Sequence, residues 1–342
     1  MASLTRRAAL KFVGTGIVLG AAARPLDRAS GAEPAAAPSA PVSPGAPGSP
    51  TVAATAADPR RSAKEPFGYC LNTATIRGQK LPLVAELDIA AKAGYHAVEP
   101  WFSEIEDYQK KGGTLPDLKK RLADLNLTME SAIAFPEWLV DDEAKRTAAI
   151  ELAKKQMGTL QQVGGKRLAC PPAGATNVEN MSLHKITARY RALLELGEKM
   201  NVVPELEVWG FSKTLGRLSE AAAVVIECGH PQACILPDVF HLYKGGSDFN
   251  GMRFLSGQAL HVLHMNDYPD QPGRDKVTDA ERVYPGDGVA PLKMLFRNLR
   301  MNGYTGYLSL ELFNRTYWEQ DALLVARTAL EKTRIAVLSA WE

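Results

Sequence analysis

From about residue 67 onward, short apolar runs alternate with stretches whose apolar positions recur every three or four residues. The short runs predict strands at Phe67–Leu71, Ala97–Pro100, Leu127–Ile133, Arg167–Cys170, Val202–Val208, Ala233–Asp238, Ala259–Met265 and Tyr307–Leu312. The amphipathic stretches predict helices over Leu83–Ala93, Leu118–Leu125, Asp142–Val163, Leu183–Lys199, Leu218–Cys228, Pro291–Met301 and finally Glu319–Leu338. Eight strands joined by helical crossovers define an α/β chain, and this length fits a (β/α)8 TIM barrel. A doubly wound open sheet is the competing architecture, but it would carry a Gly-rich turn after its first strand, and none is present. Ala93-Gly94-Tyr95 and Asn302-Gly303-Tyr304 echo each other, each marking a helix that stops at Gly before a strand.

The first 64 residues carry no such pattern. Thr5-Arg6-Arg7-Ala8-Ala9-Leu10-Lys11 resembles a twin-arginine export motif, and the apolar run 12–23 after it is too short to span a bilayer. Residues 1–32 are therefore expected to be a twin-arginine signal peptide, cut after Ala23 or Ala32. The Pro/Ala/Ser-rich residues 33–64 are expected to form a disordered linker, because they hold too little apolar surface to offset chain entropy. The barrel would then occupy 65–342. This reading makes the protein periplasmic or otherwise exported, a client of the twin-arginine machinery with no stable membrane insertion after cleavage.

Composition adds little beyond this. Apolar residues make up 46% and charged residues 23%, ordinary values for a folded domain. The net charge is +2, and residues 1–32 hold five basic residues against one acid. Their removal leaves a mildly acidic protein, which argues against a nucleic-acid partner. The four cysteines lack metal-finger spacing, and Cys228 and Cys234 fall at a helix end and a strand start, a poor arrangement for a bridge.

Candidate chemistry lies at the strand ends. The fifth to eighth strands finish on Glu205-Leu-Glu207, Asp238-Val-Phe-His241, His261-Val-Leu-His264-Met-Asn266-Asp267 and Ser309-Leu-Glu311. A carboxylate or imidazole closing a buried strand is costly unless a charge offsets it. In a barrel the active site forms where the strands' C-terminal ends meet the following loops. Strand alternation then selects Glu207, Asp238, His264 and Glu311 to point inward at one level. Three carboxylates and one imidazole suit a hard divalent ion, manganese (Mn²⁺) foremost, with Mg²⁺, Co²⁺ or Zn²⁺ as alternatives.

These pieces together resemble the xylose isomerase-like superfamily of sugar isomerases and epimerases, which includes hydroxypyruvate isomerase and ketose 3-epimerases. The likeness rests on Leu206-Glu207, Asp238-Val-Phe-His241, His264-Met-Asn-Asp267, Arg282-Val-Tyr-Pro285-Gly286-Asp-Gly288 and Gly306-Tyr-Leu-Ser-Leu-Glu311. It implies that Glu207, Asp238, His264 and Glu311 ligate the metal. It further implies that Glu207 and Glu311 exchange a proton with a sugar or keto-sugar through an enediolate, and that His241 and Arg282 bind substrate oxygens. Glu99, ending the second strand, is a further substrate-pocket candidate, with a barrel salt bridge as its alternative.

Other functions compete with this one. The same site could eliminate a leaving group from an oxidised sugar or glycoside, as a lyase or dehydratase. A non-catalytic exported sugar-binding barrel is the reading of another class. A phosphodiesterase of the endonuclease type would need more histidines at strands two and three than the chain supplies. Asp267–Val283 is longer than in compact epimerases, as either a lid or a surface excursion. Asn314-Arg315-Thr316-Tyr317 lacks a Gly-rich phosphate cradle, which disfavours a phosphorylated sugar. Trp101, Trp138 and Trp209 offer sugar-stacking surfaces or core packing. The sequence carries no signal for oligomeric state.

Overall fold

Strand β1 (Gly68–Asn72) is buried at every residue, which explains why its sequence reads as an unbroken apolar run rather than an alternating one. A computed structural model describes residues 61–342, so the expected signal segment and all but four residues of the expected linker lie outside the described residues. The order from β1 is α1 (Leu83–Ala93), β2 (Ala97–Glu99), α2 (Phe102–Lys110), α3 (Leu115–Asp124), β3 (Thr128–Met129), α4 (Glu143–Val163) and β4 (Arg167–Cys170). Then follow α5 (Leu183–Met200), β5 (Val203–Glu207), α6 (Leu218–Cys228), β6 (Ile235–Leu236), α7 (Val239–Lys244), β7 (Val262–Met265), α8 (Leu292–Met301), β8 (Tyr307–Leu310), α9 (Arg315–Trp318) and α10 (Ala322–Ser339).

All strand pairs are parallel. They run β3-β2-β1-β8-β7 and β4-β5-β6, and parallel bridges at Ile133–Ala169 and Asp238–His264 join the two runs into a closed ring. The α/β TIM barrel expected from the pattern is thus the fold. Helix ends follow local chemistry. Asp142 accepts a hydrogen bond from Lys145 N to start α4, and Asp321 accepts one from Leu324 N to start α10. Gly94 (φ 98°) and Gly303 (φ 72°) both take the left-handed conformation, so the echoed Gly-Tyr segments are two copies of one helix stop.

The departures have physical causes. The sixth strand is shorter than expected because Pro237 has no N–H to donate and Asp238 turns away to cap α7, accepting from His241 N at 2.9 Å. The third narrows to two residues plus the bridge at Ile133. Helix α2 escaped notice because only Phe102 and Ile105 on it are buried, too few to mark a period. All four cysteines are buried and free.

Contact with the barrel begins before residue 65. Arg61 lies 4.7 Å from the Tyr307 ring centroid, and Lys64 O accepts from Trp341 Nε1 at 2.6 Å. These contacts sit at the start of β8, the end of the barrel opposite Glu311. Among the described residues, no helix is long and apolar enough to cross a membrane.

Candidate metal centre

Register brings the strand-end residues level. Asp238 bridges His264, His264 pairs with Ser309, and Asn72 pairs with Glu99. His264 Nδ1 consequently faces three carboxylates at once: Glu311 Oε2 at 3.3 Å, Glu207 Oε1 at 3.5 Å and Asp238 Oδ2 at 3.5 Å. All four side chains are buried, and neither ring nitrogen of His264 makes an aligned hydrogen bond. Asp238, His264 and Glu311 each offer a ligand atom, and these atoms lie within 4.8 Å of one another.

The electrostatics are out of balance without a cation. Burial raises the pKa of Glu311 to about 8, with His264 and Arg282 resisting and Asp238 and Glu207 adding to the rise. Burial likewise raises Glu207, against the pull of His264. Asp238 behaves oppositely: burial would raise it, but Arg282 and His241 hold it well below the usual carboxylate range. Desolvating an ion costs several kcal/mol, more than the roughly 1.5–3 kcal/mol that one buried Leu or Val contributes. Three carboxylates around one imidazole and one guanidinium are hard to sustain without further positive charge. The donor set therefore fits a divalent cation that Asp238, His264 and Glu311 could hold, with the Glu207 carboxyl beside the same imidazole nitrogen.

A layer of polar groups behind these residues fixes their directions. Glu99 Oε2 lies 3.1 Å from His264 Nε2, and the same oxygen accepts from Ser309 Oγ at 2.6 Å and Asn72 Nδ2 at 3.0 Å. Fully buried, Glu99 backs the imidazole rather than forming a pocket wall; burial raises its pKa, and His264 more than reverses this. Asn72 Nδ2 also reaches Glu311 Oε1 at 3.2 Å. Asn266 Nδ2 donates to Asp238 Oδ1 at 3.2 Å while its Oδ1 accepts from Phe240 N at 2.8 Å. Sequence reasoning missed Asn72, Asn266 and Ser309. Ser309 lies on, and Asn266 just after, strands already read as site-bearing, whereas Asn72 ends β1, which carried no such sign. Because such partners orient metal ligands, Glu99→Gln should weaken divalent-metal affinity by about 10- to 100-fold, measured by competition with a chelating dye. A variant that binds metal as the parent does would remove Glu99 from this role.

Arg282 is buried, and its donors all have partners in the protein. Nη1 donates to Asp238 Oδ2 at 2.8 Å and Glu311 Oε2 at 3.1 Å, and Nη2 donates to Asp279 Oδ1 at 2.6 Å and faces His241 Nε2 at 3.2 Å. The expected contact of Arg282 with substrate oxygen would require exchanging one of these. Because Arg can only donate, His241 Nε2 must accept, which leaves the imidazole proton on Nδ1. That Nδ1 is buried without a partner, and burial lowers the pKa of His241 to about 4, so the ring is neutral.

The long segment after β7 is neither loose nor separate. Asp267 pairs with Val283 as an antiparallel bridge and accepts from Tyr268 N, Gly286 N and Ala290 N at 2.8–2.9 Å. Its Asp279 grips Arg282, so this excursion is a clasp on the site.

Residues left out of the ligand set have other places. Glu205 is buried with both oxygens unpartnered, 3.8 Å from Arg167 Nε, and burial raises it to about 8. Burial brings His261 down to about 4. Trp138 is core, donating to Pro171 O. Trp209 meets the His241 ring edge-on, and Trp101 packs on Phe135 and Phe313.

A closed parallel barrel whose strand ends gather three carboxylates on one imidazole defines an α/β barrel with a divalent-metal type of centre. Residues 87–335 match the model of the xylose isomerase-like TIM barrel family, and the chain belongs to that family. The chain is 25% identical to an inosose isomerase of Halalkalibacterium halodurans over 272 residues, covering 77% of this chain and 94% of the relative. It is 23% identical to a fructoselysine 3-epimerase of Escherichia coli O157:H7 over 273 residues, 75% of this chain and 94% of the relative. Among solved structures, the IOLI protein with a bound zinc atom superimposes with a TM-score of 0.74 at 23% identity, covering 79% of this chain and 98% of that one.

Proposed function

We propose that this protein is a divalent-metal-dependent isomerase or epimerase of a sugar or keto-sugar. The observation that carries the reading is the buried, unbonded His264 Nδ1 facing the carboxylates of Glu207, Asp238 and Glu311. The relatives named as an inosose isomerase and a fructoselysine 3-epimerase support the reaction class, and the zinc-bearing neighbour supports a metal.

When bound, a divalent ion would polarise a substrate carbonyl and stabilise developing negative charge on its oxygen. The protein's own residues move the proton. Glu207 ends β5 and Glu311 follows β8, three strands apart around the ring, so the two carboxyls approach a substrate carbon from different directions. Burial raises both, Glu311 to about 8, which suits a group that takes up and returns a proton near neutral pH. His241 Nδ1–H is the unpartnered donor for a substrate oxygen. Arg282 holds Asp238 and Glu311 in place and supplies permanent positive charge beside them.

Incubation with keto-sugars in deuterated solvent tests the reaction. Deuterium should enter at the carbon beside the carbonyl, at a rate that follows metal loading. Elimination without wash-in would make the protein a lyase, and saturable sugar binding with neither would make it a binding protein.

The export reading rests on the order of the basic segment Thr5–Lys11, the apolar run 12–23 and the small residues up to Ala32. Replacing Arg6 and Arg7 by Lys should leave the protein in the cytoplasm of a host with a twin-arginine pathway. Unaltered export of that variant, followed by cell fractionation, counts against it.

A further inference from the structure

The loop after β1 carries a guanidinium that feels Glu104 and Glu311 electrostatically but pairs directly with no described carboxylate. Residues Thr73–Gln79 form a 3-10 turn at the C-terminal end of β1, on the same side of the barrel as Glu311. Arg77 Cζ lies 3.5 Å from the Trp101 ring centroid and 6.0 Å from that of Phe313. Arg282 approaches the same Phe313 ring at 5.1 Å, so a single aromatic ring relates Arg77 to the guanidinium that touches Asp238 and Glu311. Its backbone carbonyl accepts from Lys80 N at 3.0 Å, but unlike Arg282 the Arg77 side chain makes no hydrogen bond or ion pair with any described residue.

Its acidic neighbours are engaged elsewhere. Glu104 Oε2 accepts from Thr73 Oγ1 at 2.6 Å and Trp101 N at 3.0 Å, closing the start of α2. Burial lifts Glu86 to about 9, leaving it uncharged at neutral pH. Stacking on Trp101 leaves the Arg77 donors without a protein acceptor, and Trp101 Nε1 beside them is a buried donor without a partner. A surface arginine that only shields an indole would turn its charge toward solvent or a nearby acid. Here it is partly buried beside the catalytic mouth and is within electrostatic reach of Glu311.

A planar fork with its donors unfilled matches a carboxylate in two parallel hydrogen bonds. We propose that Arg77 is the receptor for a carboxylate on the substrate, so that this barrel acts on a sugar acid rather than a neutral sugar. The word substrate here rests on the function proposed above. A phosphate would satisfy the same charge, but the loop Asn314-Arg315-Thr316-Tyr317 lacks a glycine cradle for it.

The test is equilibrium binding to the full chain loaded with Mn²⁺, followed by tryptophan fluorescence and calorimetry. D-glucuronate, D-glucose and D-glucose 6-phosphate serve as probes. Glucuronate should bind roughly 10- to 100-fold more tightly than glucose, the range for charge-assisted hydrogen bonds, and glucose 6-phosphate no more tightly than glucose. In Arg77→Met, which keeps apolar cover over Trp101, the glucuronate-to-glucose ratio should fall to about one, with Arg77→Lys intermediate. Equal binding of the two sugars, no saturable glucuronate signal, tightest binding of the phosphate, or an unchanged ratio in a folded Arg77→Met protein each overturns the proposal. Because the readout is binding, an absence of turnover with the discrimination intact defeats the isomerase reading and leaves the receptor standing.

Discussion

Glu311→Gln is expected to lower turnover by about 10²- to 10⁴-fold, the range for losing a positioned acid–base group, and to weaken metal binding as well. One substitution strikes both roles because Glu311 divides its contacts. Its Oε2 faces His264 Nδ1 and Arg282, while Oε1 receives Asn72. Gln matches the shape but can neither ionise nor carry a proton. Folding should survive, since the change removes a buried carboxyl whose pKa is already forced up to about 8 by burial. Turnover by purified Glu311→Gln at saturating metal is the measurement. Activity within tenfold of the parent would exclude Glu311 from proton transfer.

Metal removal is expected to have the second large effect. A ligand present at about 1,000 times its Kd stabilises the folded state by about 4 kcal/mol, which for a domain of this size corresponds to a Tm increase of about 7 °C. Chelator-stripped protein titrated with Mn²⁺ should show this rise, and Asp238→Asn should abolish it. The pH dependence follows from the shifted groups. Burial raises Glu207. Burial also raises Glu311 to about 8, and His264 is raised because Glu311 and Glu99 outweigh its burial, so these last two hold protons at neutral pH. Each must release a proton before it can ligate, whereas Asp238, already depressed, releases none. Metal affinity should therefore increase as pH rises through about 8 and weaken steadily below it. Calorimetry in two buffers of different ionisation heat will reveal the released protons. A pH-independent affinity with no proton release would show that these carboxyls do not bind the ion.

The sequence was most legible where burial was uniform. Strand β1 is buried on both faces and appears as a near-continuous apolar run, and helices α1, α4 and α6 have clear caps or glycine stops. Legibility failed where one residue served two purposes. Asp238 ends a strand, caps α7 and faces the site, so the strand was drawn too long and the six-residue helix was missed. For Glu99 the sequence left both a pocket position and a barrel salt bridge open, and the structure shows the ion pair with His264. Alternation shows that a side chain points inward, but the layer it occupies depends on the neighbouring strands.

Sequence alone determined the barrel, its four inward strand ends and the identities of Glu207, Asp238, His264 and Glu311, because strand periodicity and residue chemistry are local properties. Only the tertiary structure decided that Glu99 backs His264, that Asn72 links Glu99 to Glu311, that Asp279 grips Arg282, and that Arg77 lies unpaired on Trp101. Those relations join residues from separate strands and loops, at distances set by the closure and register of the ring, which no local pattern encodes.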